Sequence, residues 1–410
     1  MSRPAWELAD VVRLFGEGLE TSRPLPRHVL RTLGDILKCR TAVFGGHVDA
    51  CDACGALRIS YNSCRNRHCP KCQVVGREAW VVGREESLLP VPYYHVVFTL
   101  PDGLHGLCLY NPRSLYNALF DAAWETLQKF ATDPKWLGAQ TGATMVLHTW
   151  GQNLCLHPHV HCIVPGGGLA PGDCWVGAKN GGGGGRFLFP VKAMSKVFRA
   201  AFLHRVVPLA ETGLLVLPPD EDAYRCPARW RAWRNALYQK PWVVYAKRPF
   251  GGPKQVIEYL GRYTHKAAIS NHRLLEVGEK GVRFAYKDYR QAGAKKEMAL
   301  DGVEFLRRFA LHILPTGFRR MRHYGILANA RKSAALAAAR AALCPHGPPP
   351  PKRTRKERRE EALRRLFKGA DPTLCPCCKT GHLLRIGAIP PQRPPPPAQL
   401  PYWAPLNPMD

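Results

Sequence analysis

The sequence predicts an α+β protein, in which strands and helices alternate irregularly along the chain. Runs rich in β-branched and aromatic residues, bounded by turn residues, predict strands at 93–101, 144–150 and 242–250. Apolar residues at helical spacing predict helices at 255–270 and 303–314. Several strands follow one another as antiparallel neighbours would, so an α+β arrangement is favoured over a doubly wound parallel sheet.

The two ends of the chain differ in texture from this middle part. The first 38 residues carry apolar side chains at helical spacing, and prolines at positions 24 and 26 interrupt the pattern. Near the other end, the alanine-rich run 333–343 predicts a helix. Residues 390–410 contain nine prolines, which predicts an extended tail.

Charge is the most informative property of the composition. The 410 residues include 59 Lys and Arg against 31 Asp and Glu, a net charge of +28. Such a chain attracts polyanions, above all nucleic acid. The hydrophobic content of 46% excludes disorder of the whole chain. No apolar run is long enough to span a membrane and the first residues lack a secretory pattern, so we expect a cytoplasmic protein.

Fifteen cysteines in such a chain indicate metal binding rather than disulfides, because they cluster near both ends. Two C-x2-C pairs, Cys51/Cys54 and Cys69/Cys72, are separated by 14 residues. Each pair can direct two thiolates at one ion, so the spacing predicts one tetrahedral zinc. Four thiolates leave no open coordination position, so this zinc is expected to be structural.

The same region contains further candidate metal ligands and candidate DNA contacts. A second zinc or a supporting role is open for four of them: Cys39, His47, Cys64 and His68. Three cations near the second pair predict a face that contacts DNA phosphates: Arg65, Arg67 and Lys71.

The run 375–382, CPCCKTGH, resembles half of another zinc site. Its partners could be Cys344 and His346, or its thiols could be incidental residues of a disordered tail. The basic stretch 352–368 predicts either non-specific phosphate contacts or a solvated charged helix.

Three histidines, His157, His159 and His161, alternate along one predicted strand. Their side chains therefore project from the same face. A lone histidine on a strand is more often structural, but two imidazoles set two residues apart can hold a divalent cation. Such a site leaves positions open for phosphate oxygens, as phosphoryl transfer requires.

Two tyrosines, Tyr259 and Tyr263, lie four residues apart on a predicted helix and present their hydroxyls on one face. Taken alone, this spacing is more often explained by packing. Gly261 between them weakens a helix and so indicates a close backbone approach. Three neighbouring cations would stabilise a developing phenolate and bind DNA: Lys254, Arg262 and Lys266.

Together these runs resemble a known family. The blocks HPHVHCIVPGGG, EYLGRYTHKAAISNHR and SCRNRHCPKCQ, with the basic tail, are similar to the two-tyrosine HUH transposases of bacterial insertion sequences. Further blocks are YYHVVFTLP, WGQ, KRPFGGP and EFLRRFALHILPTGFRRMRHYG. The resemblance covers residues 30–330, and its specificity comes from the ordered set rather than from any single block.

The resemblance implies a central antiparallel sheet that carries the histidines and is flanked by helices. It implies that His159 and His161 bind Mg²⁺ or Mn²⁺, that Tyr259 and Tyr263 are nucleophiles, and that His157 orients DNA or a ligand imidazole. A third metal ligand is expected among Gln255, Glu258 and His265.

We therefore divide the chain into three regions. Residues 1–85 would form a helical segment and a zinc-binding, DNA-binding module. Residues 86–330 would form the HUH nuclease domain, and residues 331–410 a basic, proline-rich tail.

The expected function is cleavage and rejoining of single-stranded DNA at insertion-sequence ends through a 5′-phosphotyrosine. No nucleotide cofactor is expected, since the chain has no phosphate-binding G-x-x-x-x-G-K-[ST] loop. The alternatives are an HUH replication initiator or relaxase, a non-enzymatic zinc-dependent DNA-binding regulator and, more weakly, an RNA-binding protein. Acting on DNA, the protein would associate with the nucleoid.

Overall fold

The computed structural model describes residues 4–178, 188–218, 226–246, 255–256, 261, 267–344, 346–347 and 353–392. Over these residues the fold is α+β, as predicted. Ten helices lie in these ranges: α1 Leu8–Ser22, α2 Arg27–Leu37, α3 Gln73–Glu85, α4 His105–Tyr110, α5 Pro112–Thr132, α6 Val191–Glu211, α7 Pro227–Gln239, α8 Gly302–Ala310, α9 Lys332–Leu343 and α10 Arg355–Leu366. None of the helices in these ranges combines the length and apolar character needed to cross a membrane.

The strands of the same ranges form four antiparallel sheets. They are β1 Gly46–Cys51, β2 Leu57–Tyr61, β3 Tyr93–Thr99, β4 Gly142–Trp150, β5 Leu156–Pro165, β6 Gly167–Leu169, β7 Trp175–Gly177, β8 Val244–Ala246, β9 Leu274–Gly278, β10 Gly281–Asp288, β11 Ala294–Leu300, β12 Met321–Gly325 and β13 Leu383–Ile389. Short 3₁₀ turns occur at Ala42–Phe44, Asp102–Leu104, Pro171–Asp173, Asn271–Arg273 and Tyr289–Gln291.

The central sheet has five strands in the order β12-β4-β5-β3-β8, and every pairing is antiparallel. The predicted strands at 93–101 and 144–150 correspond to β3 and β4. The predicted strand 242–250 contains the shorter edge strand β8. This sheet positions the candidate site. One of its faces packs against helices, and the other carries the histidines.

One face of the central sheet packs on α5 and α6 and forms the largest hydrophobic core. Phe98, Val160 and Leu147, from β3, β5 and β4, are fully buried there against Phe120 and Phe198 of the two helices. Residues on a strand alternate between faces, so this burial directs the intervening residues of β4 and β5 to the opposite face. The histidines lie on that opposite face.

A second core joins α1, α2 and α8 to the three-stranded sheet β11-β10-β9. The break predicted at the two early prolines separates α1 from α2. The helix predicted at 303–314 ends earlier, at Ala310. Asp301 caps its start by accepting from the backbone N–H groups of Val303 and Glu304. Pro315 follows the last predicted residue and disfavours helical backbone just before it.

The third sheet brings the two ends of the chain together in the order β13-β1-β2. Strand β13 pairs along the whole of β1, and α10 packs on α3. The region predicted as a tail therefore contains α9 and α10 and a strand of the N-terminal sheet. The most proline-rich stretch, residues 393–410, lies outside the described residues.

Candidate metal centre and histidine face

The histidines of β5 meet a histidine of the neighbouring strand. In the antiparallel register His159 pairs with His148 of β4, and His161 pairs with Val146. On the other side of β5, Ile163 pairs with His95 of β3. All of these side chains lie on the face of the central sheet opposite the large core.

Three of these histidines can direct nitrogen atoms at one point. The ligand atoms of His148, His159 and His161 lie within 4.8 Å of one another. The Nε2 atoms of His159 and His161 are 3.1 Å apart. Two imidazole nitrogens that bind one ion at about 2.1 Å each are expected at roughly this separation.

Hydrogen bonds fix the orientation of His159. Its Nδ1 lies 2.6 Å from the backbone carbonyl oxygen of His157. A carbonyl oxygen can only accept, so Nδ1 carries the proton and the Nε2 lone pair faces His161. The sequence suggested that His157 orients a ligand imidazole, and the contact is made by its backbone, while its imidazole is exposed.

His161 has a comparable partner in His95, whose Nε2 lies 2.9 Å from the Nδ1 of His161. The ring planes are inclined by only 14° and the centroids are 5.2 Å apart, so the two imidazoles meet end to end through this hydrogen bond. When Nδ1 of His161 donates to His95, the Nε2 lone pair of His161 points toward His159. A hydrogen-bond partner that orients a ligand imidazole through its second nitrogen is typical of metal sites, and His95 takes that place here.

The ring of His148 packs against an aromatic neighbour on the same strand. Its ring stacks on Trp150 with centroids 4.5 Å apart, and only 3% of the residue is exposed. His148 was not among the third ligands suggested by the sequence. Of those candidates, Gln255 is helical and exposed, and Glu258 and His265 lie outside the described residues. The signal that could have found His148 is the run TMVLHTW, because a hairpin register places it beside the HPHVH run.

Three imidazoles fit a divalent transition-metal ion. This donor set suits Mn²⁺ better than Mg²⁺, which prefers oxygen ligands. Three protein ligands also leave open positions for oxygen atoms of a substrate.

The segment with the two predicted nucleophiles is described only in part. Tyr259, Tyr263, Lys254, Arg262 and Lys266 lie outside the described residues.

The described neighbours of these tyrosines are Val256 and Gly261. Val256 is fully buried in a cluster with Val81 of α3, Tyr93 of β3 and Ile163 of β5. A Cβ atom added to Gly261 would lie 2.6 Å from a methyl carbon of Val81. Gly261 therefore makes the close approach that its position in a predicted helix indicated. Tyr93 and Ile163 belong to the histidine face, so Val256 packs over that face.

Positive charge is concentrated beside the same face. Arg84 and Lys332 line a pocket together with the imidazole of His323 and with Thr144 and Ile163 of the central sheet. Burial and the charges of Arg84 and Arg358 lower the pKa of Lys332 to about 8. Burial lowers the pKa of His323 to about 4. Bound phosphate would relieve this repulsion between neighbouring cations.

The cysteines form two groups, and their composition differs from the predicted one. Cys69 and Cys72 lie with Cys39 and Cys64, and the Sγ atom of Cys72 is 3.4 Å from the Sγ atoms of both Cys39 and Cys64. Four thiolates at such separations can share one tetrahedral ion.

Cys51 and Cys54 lie instead with Cys375 and Cys378. The expected site formed by Cys51, Cys54, Cys69 and Cys72 is therefore not found. The reason is the β1–β2 hairpin, whose turn carries Cys51 and Cys54 while Cys64 follows its opposite end. Five residue steps of about 3.3 Å separate the two ends of the hairpin.

The remaining histidines and cysteines of these regions have other contacts. His47 lies 3.4 Å from Asp49, and buried His68 accepts from Arg67. The Nδ1 atom of His382 is 3.1 Å from the hydroxyl oxygen of Thr373. Of the two alternatives for 375–382, the pairing with Cys344 and His346 is not found, and these two residues are exposed.

Two of the three cations expected to face DNA have contacts within the protein. Arg67 donates to the backbone carbonyls of Phe318 and Pro315, and so joins the cysteine loop to the segment before β12. Lys71 forms a 2.7 Å ion pair with Glu7. Arg65 is exposed, so of the three cations it is the one whose side chain is accessible to DNA.

An antiparallel sheet with convergent histidines on one strand is typical of the HUH class of DNA-processing proteins, and here a cysteine-rich module precedes that sheet in the chain. Comparisons with known proteins agree. Residues 11–100 match a family described as a transposase zinc-binding domain, and residues 142–334 match a family described as "Putative transposase". No solved structure matches the chain.

Two curated proteins are similar over most of the chain. "Putative transposase y4qJ" of Sinorhizobium fredii is 42% identical over 388 residues, which cover 94% of this chain and 96% of that protein. The transposase for insertion sequence element IS801 of Pseudomonas savastanoi pv. phaseolicola is 32% identical over 304 residues, 73% of this chain and 70% of that protein. The chain belongs to the IS91/IS801 family of insertion-sequence transposases, which are of the HUH rolling-circle type.

Proposed function

We propose that this transposase cleaves and rejoins single-stranded DNA at insertion-sequence ends through a 5′-phosphotyrosine, with a divalent metal ion in its active site. The observation that carries the proposal is that His148, His159 and His161 converge on the sheet face over which Val256 packs, while Gly261 contacts the neighbouring helix α3. In the sequence, Val256 precedes both tyrosines and Gly261 lies between them. The proposed ligands and nucleophiles would therefore belong to one site.

In this proposal the three imidazoles hold the ion through nitrogen lone pairs. His95 and the carbonyl oxygen of His157 keep the Nδ1 protons of His161 and His159 occupied, which leaves both Nε2 atoms for the ion. A bound Mn²⁺ or Mg²⁺ would supply Lewis-acid polarisation of the scissile phosphate. The stacked Trp150 excludes water from one side of His148 and limits the rotation of its ring.

The nucleophile in this proposal is the hydroxyl of Tyr259 or Tyr263. Its oxygen attacks the phosphorus atom, the bond from phosphorus to the 3′ oxygen breaks, and the departing strand takes up a proton as a free 3′-OH. A phenol has an ordinary pKa of about 10, so neighbouring cations are needed to stabilise the phenolate. Lys254, Arg262 and Lys266 are the proposed cations next to the tyrosines in the sequence.

Two tyrosines allow a second cleavage before the first covalent link is resolved. The free 3′-OH of one strand can then attack the phosphotyrosine of the other, which restores the phenol and joins element end to target. The phosphodiester energy is retained in the covalent bond, so the reaction needs no nucleotide cofactor.

Binding of the DNA backbone is proposed for the cations beside the histidine face and for exposed Arg65. Arg84 and Lys332 line the pocket on that face. The net charge of +28 adds a sequence-independent attraction to phosphates. Affinity for single-stranded DNA should therefore fall steeply as the salt concentration rises.

A denaturation-resistant protein–DNA adduct tests the proposal. The purified protein is incubated with Mn²⁺ and labelled single-stranded oligonucleotides from the element ends, then resolved under denaturing conditions. We expect an adduct with the wild type and with each single variant, Tyr259→Phe and Tyr263→Phe, and none with the double variant. An adduct of full yield in the double variant would disprove the tyrosine assignment, whereas DNA binding with no adduct in the wild type would favour a non-enzymatic regulator.

A further inference from the structure

The group formed by Cys51, Cys54, Cys375 and Cys378 joins parts of the chain that are far apart in sequence. The Sγ atoms of Cys51 and Cys378 are 3.6 Å apart, and those of Cys54 and Cys375 are 3.7 Å apart. Thiolates that share one tetrahedral zinc at about 2.3 Å each are expected at about 3.8 Å from one another. All four cysteines are free thiols in the structure.

The two cysteine pairs have the same backbone conformation. In the first, the N–H of Cys54 donates to the Sγ of Cys51, and the N–H of Gly55 donates to the carbonyl oxygen of Cys51. In the second, the N–H of Lys379 donates to the carbonyl oxygen of Cys375 at the same 3.0 Å.

The residue after the second cysteine has a positive φ in both pairs, 69° at Gly55 and 58° at Lys379. This conformation is uncommon for a lysine, so the turn is held by something other than local preference. Two such turns that face each other are the usual construction of a structural zinc site.

Backbone contacts bring the two turns together. The N–H of Asp52 donates to the carbonyl oxygen of His382, and the N–H of His382 donates to a side-chain oxygen of Asp52 at 2.7 Å. Beyond this link β1 and β13 pair from Cys51 with Leu383 to Gly46 with Ile389. The four thiols therefore lie at the end of a continuous strand pair.

We propose that Cys51, Cys54, Cys375 and Cys378 bind a second structural zinc, which fastens the C-terminal segment to the zinc-binding domain. Binding releases the four thiol protons and forms four zinc–thiolate bonds, without oxidation. The matched domain ends at residue 100 and the matched transposase region at residue 334, so two of the four ligands lie beyond both. The proposal does not depend on the tyrosine chemistry.

The effect of this zinc extends beyond the strand pair. Helix α10 precedes β13 in the chain and packs on α3. Arg365 makes two hydrogen bonds to Glu85, and Arg358 makes two to Glu86, at distances of 2.6–3.1 Å. A Cβ added to Gly83 would lie 3.2 Å from the side chain of Arg358. Zinc binding would thus hold the chain from α10 to β13 against α3.

Another contact of α3 links this part of the chain to the surroundings of the histidine face. Val81 of α3 touches Gly261 of the segment that carries the tyrosines. The second zinc would therefore help to position Gly261 through α10 and α3.

The number of zinc ions per chain tests the site, measured by native mass spectrometry of the full-length protein under reducing conditions. We expect the double variant Cys375→Ser/Cys378→Ser to hold one zinc fewer than the wild type. The matched controls Cys377→Ser and Cys344→Ser alter exposed cysteines outside the group and should keep the wild-type number. An unchanged number in the double variant would overturn the proposal.

The fastening is tested separately by limited trypsin digestion, since α10 is rich in arginine. We expect cleavage within α10 to be at least tenfold faster in the double variant than in the wild type and the controls. The single variant Cys378→His keeps a zinc-binding side chain and should keep both the ion and the protection. Loss of the ion with α10 still protected would overturn the fastening role.

Discussion

His148 on β4 lies directly opposite His159 on β5, and this single register pair completes the group of three convergent imidazoles. A slip of one residue between the two strands would turn His148 toward the hydrophobic core. The β4–β5 pairing therefore determines both the fold of the sheet and the composition of the proposed metal site.

Replacement of His148 by alanine tests its assignment as the third ligand. We expect the variant to bind Mn²⁺ at least 100-fold more weakly and to lose the DNA adduct, because two imidazoles then hold the ion. Isothermal titration with Mn²⁺ measures the affinity. His157→Ala is the matched control, since its exposed imidazole is removed while its backbone carbonyl is kept, and its affinity should change less than threefold. Equal effects of the two substitutions would refute the assignment.

His95→Phe separates the orientation of a ligand from ligation itself. The phenyl ring retains a planar side chain of similar size but cannot accept the Nδ1 proton of His161. Loss of such a partner typically weakens metal binding 10- to 100-fold. We expect that loss in the Mn²⁺ titration, with adduct formation recovered at saturating Mn²⁺. Adduct formation that stays absent at saturation would show that His95 does more than orient His161.

The contact between Gly261 and Val81 predicts a rescue. An alanine at position 261 would place its Cβ 2.6 Å from a methyl of Val81, whose χ1 is stiff in a helix. We expect Gly261→Ala to reduce the rate of adduct formation at least tenfold. Adding Val81→Ala should restore most of it by making room.

The control for this rescue is Val82→Ala, which truncates a fully buried neighbour outside the 4 Å surroundings of Gly261. We expect no rescue from that change. If both alanines on α3 restored the rate equally, the effect would come from general loosening of α3 rather than from the contact.

Buried His312 predicts a loss of stability in mild acid. Its Nε2 donates to the carbonyl oxygen of Leu154 and its Nδ1 accepts from the hydroxyl of Thr149, so the ring is neutral. Burial lowers its pKa to about 4, against about 6.5 in the unfolded chain. The unfolded state therefore binds more protons between these values, and the free energy of unfolding falls as the pH drops through that window.

This group contributes a loss of about 2 kcal/mol between pH 7 and pH 5. Urea denaturation at both pH values measures it. His312→Gln keeps the donor to Leu154 but does not titrate, so its stability should fall less over the same range by about that amount. Parallel losses in the variant and the wild type would contradict the prediction.

The local parts of the fold and site could be predicted from the sequence. Alternation in the HPHVH run is a property of one strand, so the common face of His159 and His161 followed from it directly. The helix break between α1 and α2 and the strands β3 and β4 were local in the same sense. Gly261 was identified because a glycine inside a helical pattern has few explanations other than a close contact.

What the sequence could not supply were pairings between distant elements. A C-x2-C spacing specifies a turn that presents two thiolates, but not which other turn it faces. Cys51 and Cys378 are separated by 327 positions, and a nearer pair looked the better partner. In the same way, Arg67 was predicted to contact DNA. The carbonyl oxygens that accept its hydrogen bonds belong to residues near position 315, and the sequence around Arg67 does not reveal them.

The position of β1 between β2 and β13 has a consequence for biosynthesis. On the ribosome, residues 46–51 emerge more than three hundred positions before the strand that covers their outer side. Until then β1 exposes an unpaired edge, the kind of surface that recruits other chains. Truncated products, such as those left by a frameshift within the element, would lack that cover and should be prone to aggregation and rapid degradation.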